Sequence, residues 1–272
     1  MELWLLRLAI AFYLAGTAAA LFGIAVRQEL PRTLLPWMLW AGFVAHGVSI
    51  AVRSWTAGHL AVTTFDEALS FLALLLVGVF LAVQLRRPLV ALGAVVSPLA
   101  FGLTLAADAV YRGASPLPPV LHSAWLPIHV VLSFLGDAVF ALAFSASLLY
   151  LLQERRLKAR RAPGALRYLP SLETLDRVNY RCLVWGLILL TLGIVSGIVW
   201  AHTAWGGFWS RDPKLVFSLV TWGIYVVLLQ GRMTAGWRGR WAATLTIAGF
   251  AVIVASLVGV NVLELGNHGK AF

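Results

Sequence analysis

The sequence predicts an all-α integral membrane protein of about eight transmembrane helices with both termini outside. Three observations carry that expectation. Mean hydropathy is +0.87, with 61% hydrophobic and only 12% charged residues, more apolar side chain than a soluble domain of this length needs. Apolar stretches of membrane-spanning length recur eight times. Basic residues crowd into alternate connections between them.

The first stretch, about 3–26, ends in small residues, Ala18, Ala19 and Ala20, of the kind a signal cleavage site wants. It lacks a basic start and is long for a signal, so it reads as a retained helix. The second, about 34–52, contains His46, and the third and fourth, about 66–84 and 89–107, flank Arg86 and Arg87. The fifth, about 128–151, opens on His129 and carries Asp137. A basic connection leads to the sixth, about 182–200, which starts at Cys182, the sole cysteine. One cysteine excludes an internal disulfide and a CxxC pair, leaving Cys182 as a small residue at a helix start. The seventh, about 214–230, follows the charged run Arg211-Asp212-Pro213-Lys214, and the eighth, about 241–263, precedes a tail with His268. The runs approach the ~20 residues a bilayer-crossing helix requires. They do not alternate as barrel strands would. No repeat divides them, so 1–272 reads as a single polytopic domain. It has a cytoplasmic basic loop at about 153–181 and an external tryptophan-rich loop at about 201–214.

Charge sets the expected orientation. The connections after the first, third, fifth and seventh stretches hold 15 of the 21 lysines and arginines, eight of them between Arg155 and Arg181. The other side holds Arg7, Arg53, Arg112, Arg211, Lys214 and Lys270. Positive residues favour the cytoplasm, which puts both termini, and the 201–214 loop, outside. Topogenesis explains the basic 155–181 loop more simply than nucleic acid does, so membrane lipid and no nucleic acid is the expectation.

On this topology five of six histidines, His59, His122, His129, His202 and His268, fall at the outer surface, and only His46 lies within a helix. His129 and His268 belong to different helices near the aromatic loop. Two such imidazoles are what bis-axial ligation of heme iron needs. Tryptophans offer flat apolar faces to a porphyrin, and Arg211 and Lys214 offer charges to its propionates. Other readings stay open on these residues alone. Tryptophans gather at membrane interfaces in any case, as Trp4, Trp37, Trp40, Trp55 and Trp241 illustrate. Interfacial histidines are often only solvated side chains, and no HxxH or HExxH zinc spacing occurs.

Several spaced motifs narrow the choice. Trp205, Gly206, Trp209, Asp212, Pro213 and Lys214 fit a WGxxWxWDPKE run. Leu175-Asp176, Tyr180-Arg181 and Ser196-Gly197-Ile198-Val199-Trp200-Ala201 fit the approach to it. Gly58-His59, Glu67, Leu69, Phe71 and Leu72 fit GHxPxxxxYESLxFL; Ser123, Trp125, Leu126, His129 and Val130 fit the start of a fifth helix. Asn261 stands seven residues before His268, as in VNLLGxGLH. In these features, over about 53–268, the chain resembles the CcsA/ResC family of heme-handling cytochrome c assembly proteins, which carry a tryptophan-rich "WWD" segment.

The resemblance implies a heme-binding subunit of a system II type cytochrome c biogenesis complex. His129 and His268 would be the axial iron ligands, with Trp205, Trp209, Arg211, Asp212 and Lys214 framing the heme and His59, His202 and Asp137 as further candidates. Heme b would be held at the external face of the inner (plasma) membrane. With a CcsB/ResB-like partner it would be presented to apocytochrome c bearing CxxCH. No catalytic residue is implied, and whether the chain is itself part of a synthase stays open. The sequence also departs from the pattern. Arg211 replaces a tryptophan, Leu215 a glutamate and Gln230 a histidine that helps form a heme site within the membrane. Asp137 stands at an aromatic position, and His202 where asparagine is common. These departures keep a HemX-like membrane protein, influencing heme biosynthesis without ligase activity, as the alternative.

Overall fold

The computed structural model describes residues 1–26, 30–86, 89–113, 123–159, 169–205 and 213–262. Among them are eight helices: α1 Glu2–Val26, α2 Leu30–Ala57, α3 Phe65–Arg86, α4 Val90–Ala109, α5 Trp125–Lys158, α6 Leu172–Trp205, α7 Pro213–Thr234 and α8 Arg240–Val262. No strand occurs among the described residues. Each helix contains a span long and apolar enough to cross a membrane. The chain is a multi-pass, all-α membrane protein.

Each of the eight expected stretches falls on one of these helices; the fourth begins one residue before its helix, at Leu89, and the eighth ends at 263, outside the described residues. The largest difference is in α5 and α6, which reach 34 residues each, about 51 Å at 1.5 Å per residue. Hydropathy marks only their apolar middles. The added turns are charged and held by i,i+4 pairs: Lys158 donates to Glu154 at 2.7 Å, and Arg177 to Glu173 at 2.6 Å. Much of the basic 153–181 connection is therefore helical on both flanks.

α1 packs on α2 and α4, and α3 on α2, α4 and α5. α5 and α6 form the most extensive pair, and α8 closes on α5 and α7. Lipid tails are as apolar as leucine, so helices in a membrane associate through close packing and buried polar contacts. Glycines supply the closeness along the α5–α6 seam. A Cβ at Gly186 would sit 2.6 Å from the Phe140 ring, and one at Gly193 2.8 Å from Ser133 Oγ.

Two polar knots complete the frame. At one end of α5–α8, Arg232 donates to Asp176 at 2.7 Å and to Asn179 at 3.2 Å. Asn179 in turn donates to Ser147 at 2.7 Å and Thr246 at 3.0 Å. In the α1–α4 half, Arg53 pairs with Asp66 at 2.9 Å and Glu67 at 2.7 Å, with all three side chains under 10% exposed. It also donates to the Gly113 carbonyl at 2.9 Å.

Candidate functional site

His129 sits early in α5, and α6 holds its ring. Nδ1–H donates to the Gly193 carbonyl at 2.8 Å. A carbonyl can only accept, so the proton is on Nδ1 and the imidazole lone pair is on Nε2, the tautomer that binds metal through Nε2. The ring stacks on Trp200 with centroids 5.9 Å apart and planes 14° from parallel. Gly197 leaves it room, since a Cβ there would lie 2.6 Å from Cε1. Thus the segment 193–197 provides both the orienting carbonyl and the space.

His129 faces a cavity enclosing about 1240 Å³, its open mouth included. α5, α6, α7 and α8 wall it, with Val62 and Ala68 completing one side. Leu190, Ile194, Phe134, Phe217, Ile253 and Leu257 make the lining largely apolar. Among the described residues the polar groups besides His129 are few: Ser133 and Asp137 on α5; Lys214, Ser218 and Thr221 on α7; Ser256 on α8. Lys214 and Asp137 are close enough for their charges to interact. A mainly apolar cleft with a few placed polar groups suits a large flat ligand carrying a few charges.

Of the residues singled out in the sequence, the structure brings His129, Asp137 and Lys214 to this cavity. Trp205 is the last residue of α6. His202 is exposed on that helix and is not part of the cavity lining. His59 lies elsewhere, its Nδ1 donating to the Leu60 carbonyl at 3.0 Å. Trp209, Arg211, Asp212 and His268 fall outside the described residues, as does His122. His46 is fully buried, with Tyr13 OH 3.3 Å from Nδ1 and Ser70 Oγ 2.8 Å from Nε2. Both its ring nitrogens are engaged within α1–α3, which leaves no lone pair directed at iron.

Sequence reasoning missed the functional part of Trp200, Gly193, Gly197 and Thr221. The GxxxG spacing of 193 and 197 was the available signal; nothing local marks Thr221. It also passed over the Arg53 knot. Glu67 there accepts from Thr63 N at 2.8 Å and Thr64 N at 3.2 Å, which caps α3. The Arg53 guanidinium lies over the Tyr111 ring, 4.8 Å from its centroid. Tyr111 donates to Glu2, and burial, then that bond, pushes its hydroxyl up to about 12.

The model of the family described as cytochrome C assembly protein matches residues 43–268. A protein named cytochrome c biogenesis protein CcsA from Synechococcus sp. (strain WH7803) is 32% identical, the match covering 91% of this chain and 93% of the relative. One of the same name from Prochlorococcus marinus (strain MIT 9313) is 34% identical, covering 80% of this chain and 78% of its own. Among solved structures, cytochrome c heme lyase CcmF aligns with a TM-score of 0.70 at 19% identity. That alignment covers all of this chain and 48% of that one, so the chain spans about half its length. At that identity the likeness is one of fold.

Proposed function

The chain belongs to the cytochrome c assembly protein family, and from that premise we propose that it acts in cytochrome c biogenesis by holding heme for attachment to apocytochrome c. The observation that carries the reading is His129. It is oriented by the Gly193 carbonyl, stacked on Trp200 and set in the wall of an open apolar cavity. The lining fits heme. Its apolar walls suit the porphyrin faces, Nε2 suits the iron, and Lys214 suits a propionate. Heme here is the substrate handed on.

In this reading His268 is the second axial ligand. Trp205, Trp209, Arg211 and Asp212 complete the cradle, while His59 and His202, neither of which lines the cavity, have no assigned part in it. The cavity faces the extracytoplasmic side of the inner membrane, as the distribution of basic residues implies. A CcsB/ResB-like subunit brings the CxxCH segment, and thioether bonds form between its thiols and the heme vinyls. The chain's contribution is positioning: a heme fixed at its iron presents its vinyls in reacting geometry.

The test is the visible absorption spectrum of the detergent-purified chain, with and without the partner subunit, beside His129→Ala and His268→Ala. A Soret band with sharp reduced bands in the parent, lost or shifted in both variants, is expected. Absence of heme from the parent even with a partner and ample heme overturns the proposal. The HemX-like alternative then gains; Gln230, exposed near the end of α7, is the observation that favours it.

A further inference from the structure

The cavity has polar groups beyond those that the iron and propionates of a bound heme would use. On α5, His129, Ser133 and Asp137 follow one another at four-residue intervals, and on α7, Lys214, Ser218 and Thr221 follow at four and three. All six line the cavity. Spacings of three and four put residues on one helical face, so two polar stripes descend its walls. The lower end is distinctive. Thr221 is 2% exposed, and its Oγ1 has no hydrogen-bond partner among the described residues. Asp137 is a carboxyl two turns below His129 on a membrane-spanning helix. An ionisable group at such depth is costly and marks a functional site by default. A buried hydroxyl left unpaired is a second cost, which a bound donor or acceptor removes.

Immediately beyond, the path closes. Tyr225, the next polar residue on the α7 face, is fully buried, and its ring stacks on Phe140 with centroids 3.9 Å apart. Its hydroxyl donates to the Thr246 carbonyl at 3.4 Å. Past that plug lies the tied Arg232–Asn179–Asp176 knot. The stripes therefore end blind.

We propose that Asp137 and Thr221 form a proton-exchange site at the floor of the cavity, its ligand a water molecule that carries protons to and from the cavity mouth. The Asp137 carboxyl gives its proton to that water and becomes a carboxylate; the reverse transfer restores it. Thr221 hydrogen-bonds the water. Among the described residues the titratable groups facing Asp137 are His129 on its own helix and Lys214 and Tyr225 on α7. The cavity lining from α6, α8 and residues 62–68 contains none. The exchange serves the cargo. With heme bound, the positive charge on ferric iron would favour the carboxylate; when an external one-electron reductant converts it to ferrous iron, loss of that charge would favour the acid, so one proton would be taken up with the electron. This second part rests on the heme reading; the proton site itself does not.

The experiment is an infrared pH titration of the purified, heme-free full chain in detergent. The parent is expected to show a protonated-carboxyl band that disappears as pH rises. That band should be absent in Asp137→Asn, displaced in frequency in Asp137→Glu and altered in midpoint in Thr221→Val. Asp137→Glu keeps the assignment testable if Asp137→Asn does not fold. A band that ignores pH, or that survives unchanged in the Asp137 variants, overturns the site. A potentiometric titration of added heme follows, with a midpoint potential that falls as pH rises in the parent and much less in Asp137→Asn. Equal pH dependence in both overturns the coupling. No heme binding, even with the partner subunit and ample heme, together with a titrating band sinks the heme reading and leaves the proton site standing.

Discussion

The chain contains two buried polar regions of opposite design. Around Arg53 the charges face one another: a guanidinium, two carboxylates, a backbone carbonyl and an aromatic face all meet. Around His129 a few polar groups line a largely apolar cavity, the imidazole itself held from behind by the Gly193 carbonyl. The first arrangement ties α2 to α3 by pairing opposite charges at contact distance; the second brings scattered polar groups of α5, α7 and α8 to one apolar cleft. Burial and charge alone do not distinguish them, because both are ionisable clusters at the rim of a helix bundle. What separates them is pairing: Arg53 meets two carboxylates at 2.9 and 2.7 Å, whereas His129 is oriented by a main-chain carbonyl and stacked on Trp200 in a largely apolar wall.

Substitutions should divide along that line. The largest effect on ligand binding is expected for His129→Ala, at least ~10-fold weaker heme binding with thermal stability close to the parent; heme titration followed by Soret absorbance measures it. The largest effect on stability belongs to the other region. Arg53→Ala leaves Asp66 and Glu67 buried without their cation and should cost about 3–5 kcal/mol, measured by denaturant unfolding in mixed micelles. The folded fraction should keep the parent heme spectrum, and a changed spectrum would blur the contrast. Gly197→Ala is intermediate. Its methyl group would press on the His129 ring, an overpacking cost of about 1–3 kcal/mol that should appear as weaker heme affinity.

Smaller effects sharpen the comparison. Tyr111 holds its proton more tightly in the fold than in the unfolded chain. The stability it contributes is whole below the ordinary tyrosine pKa of about 10 and is lost as pH rises to about 12. Unfolding scans across that window should slope in the parent and flatten in Tyr111→Phe. Least of all, Arg7→Ala removes the exposed 3.3 Å pair with Asp108, where a change within about 0.5 kcal/mol is expected.

The eight helices were legible because crossing a bilayer demands a length of apolar sequence that nothing else in the chain imitates. His129 was legible through its motif, and Lys214 through its place in the charged run. The pairing that makes them a site was not. The Gly193 carbonyl reaches His129 across 64 residues, and a main-chain oxygen has no signature in the sequence. Arg53 read only as a topogenic charge, since its partnership with Asp66 and Glu67 exists only once α2 and α3 are packed. Trp200 was legible as a motif letter, but its role as a stacking surface depends on the interhelical distance set by the glycines. Composition declares what must be buried; it does not say against what.

The stacked rings of Phe140 and Tyr225 have an electrical consequence. A cup filled with water conducts ions, while two aromatic rings packed at 3.9 Å insulate. With water filling the cavity, the membrane voltage would not fall evenly over the thickness of α5–α8. It would be concentrated in the layer between those rings and Arg232, and Asp137, on the cavity side, would stay near the potential of the bath at the cavity mouth. A charge moving between that bath and the cavity floor crosses little of the ~2.3 kcal/mol per 100 mV that the full membrane would impose. Loading and unloading the cavity should then proceed alike in energised and in de-energised membranes.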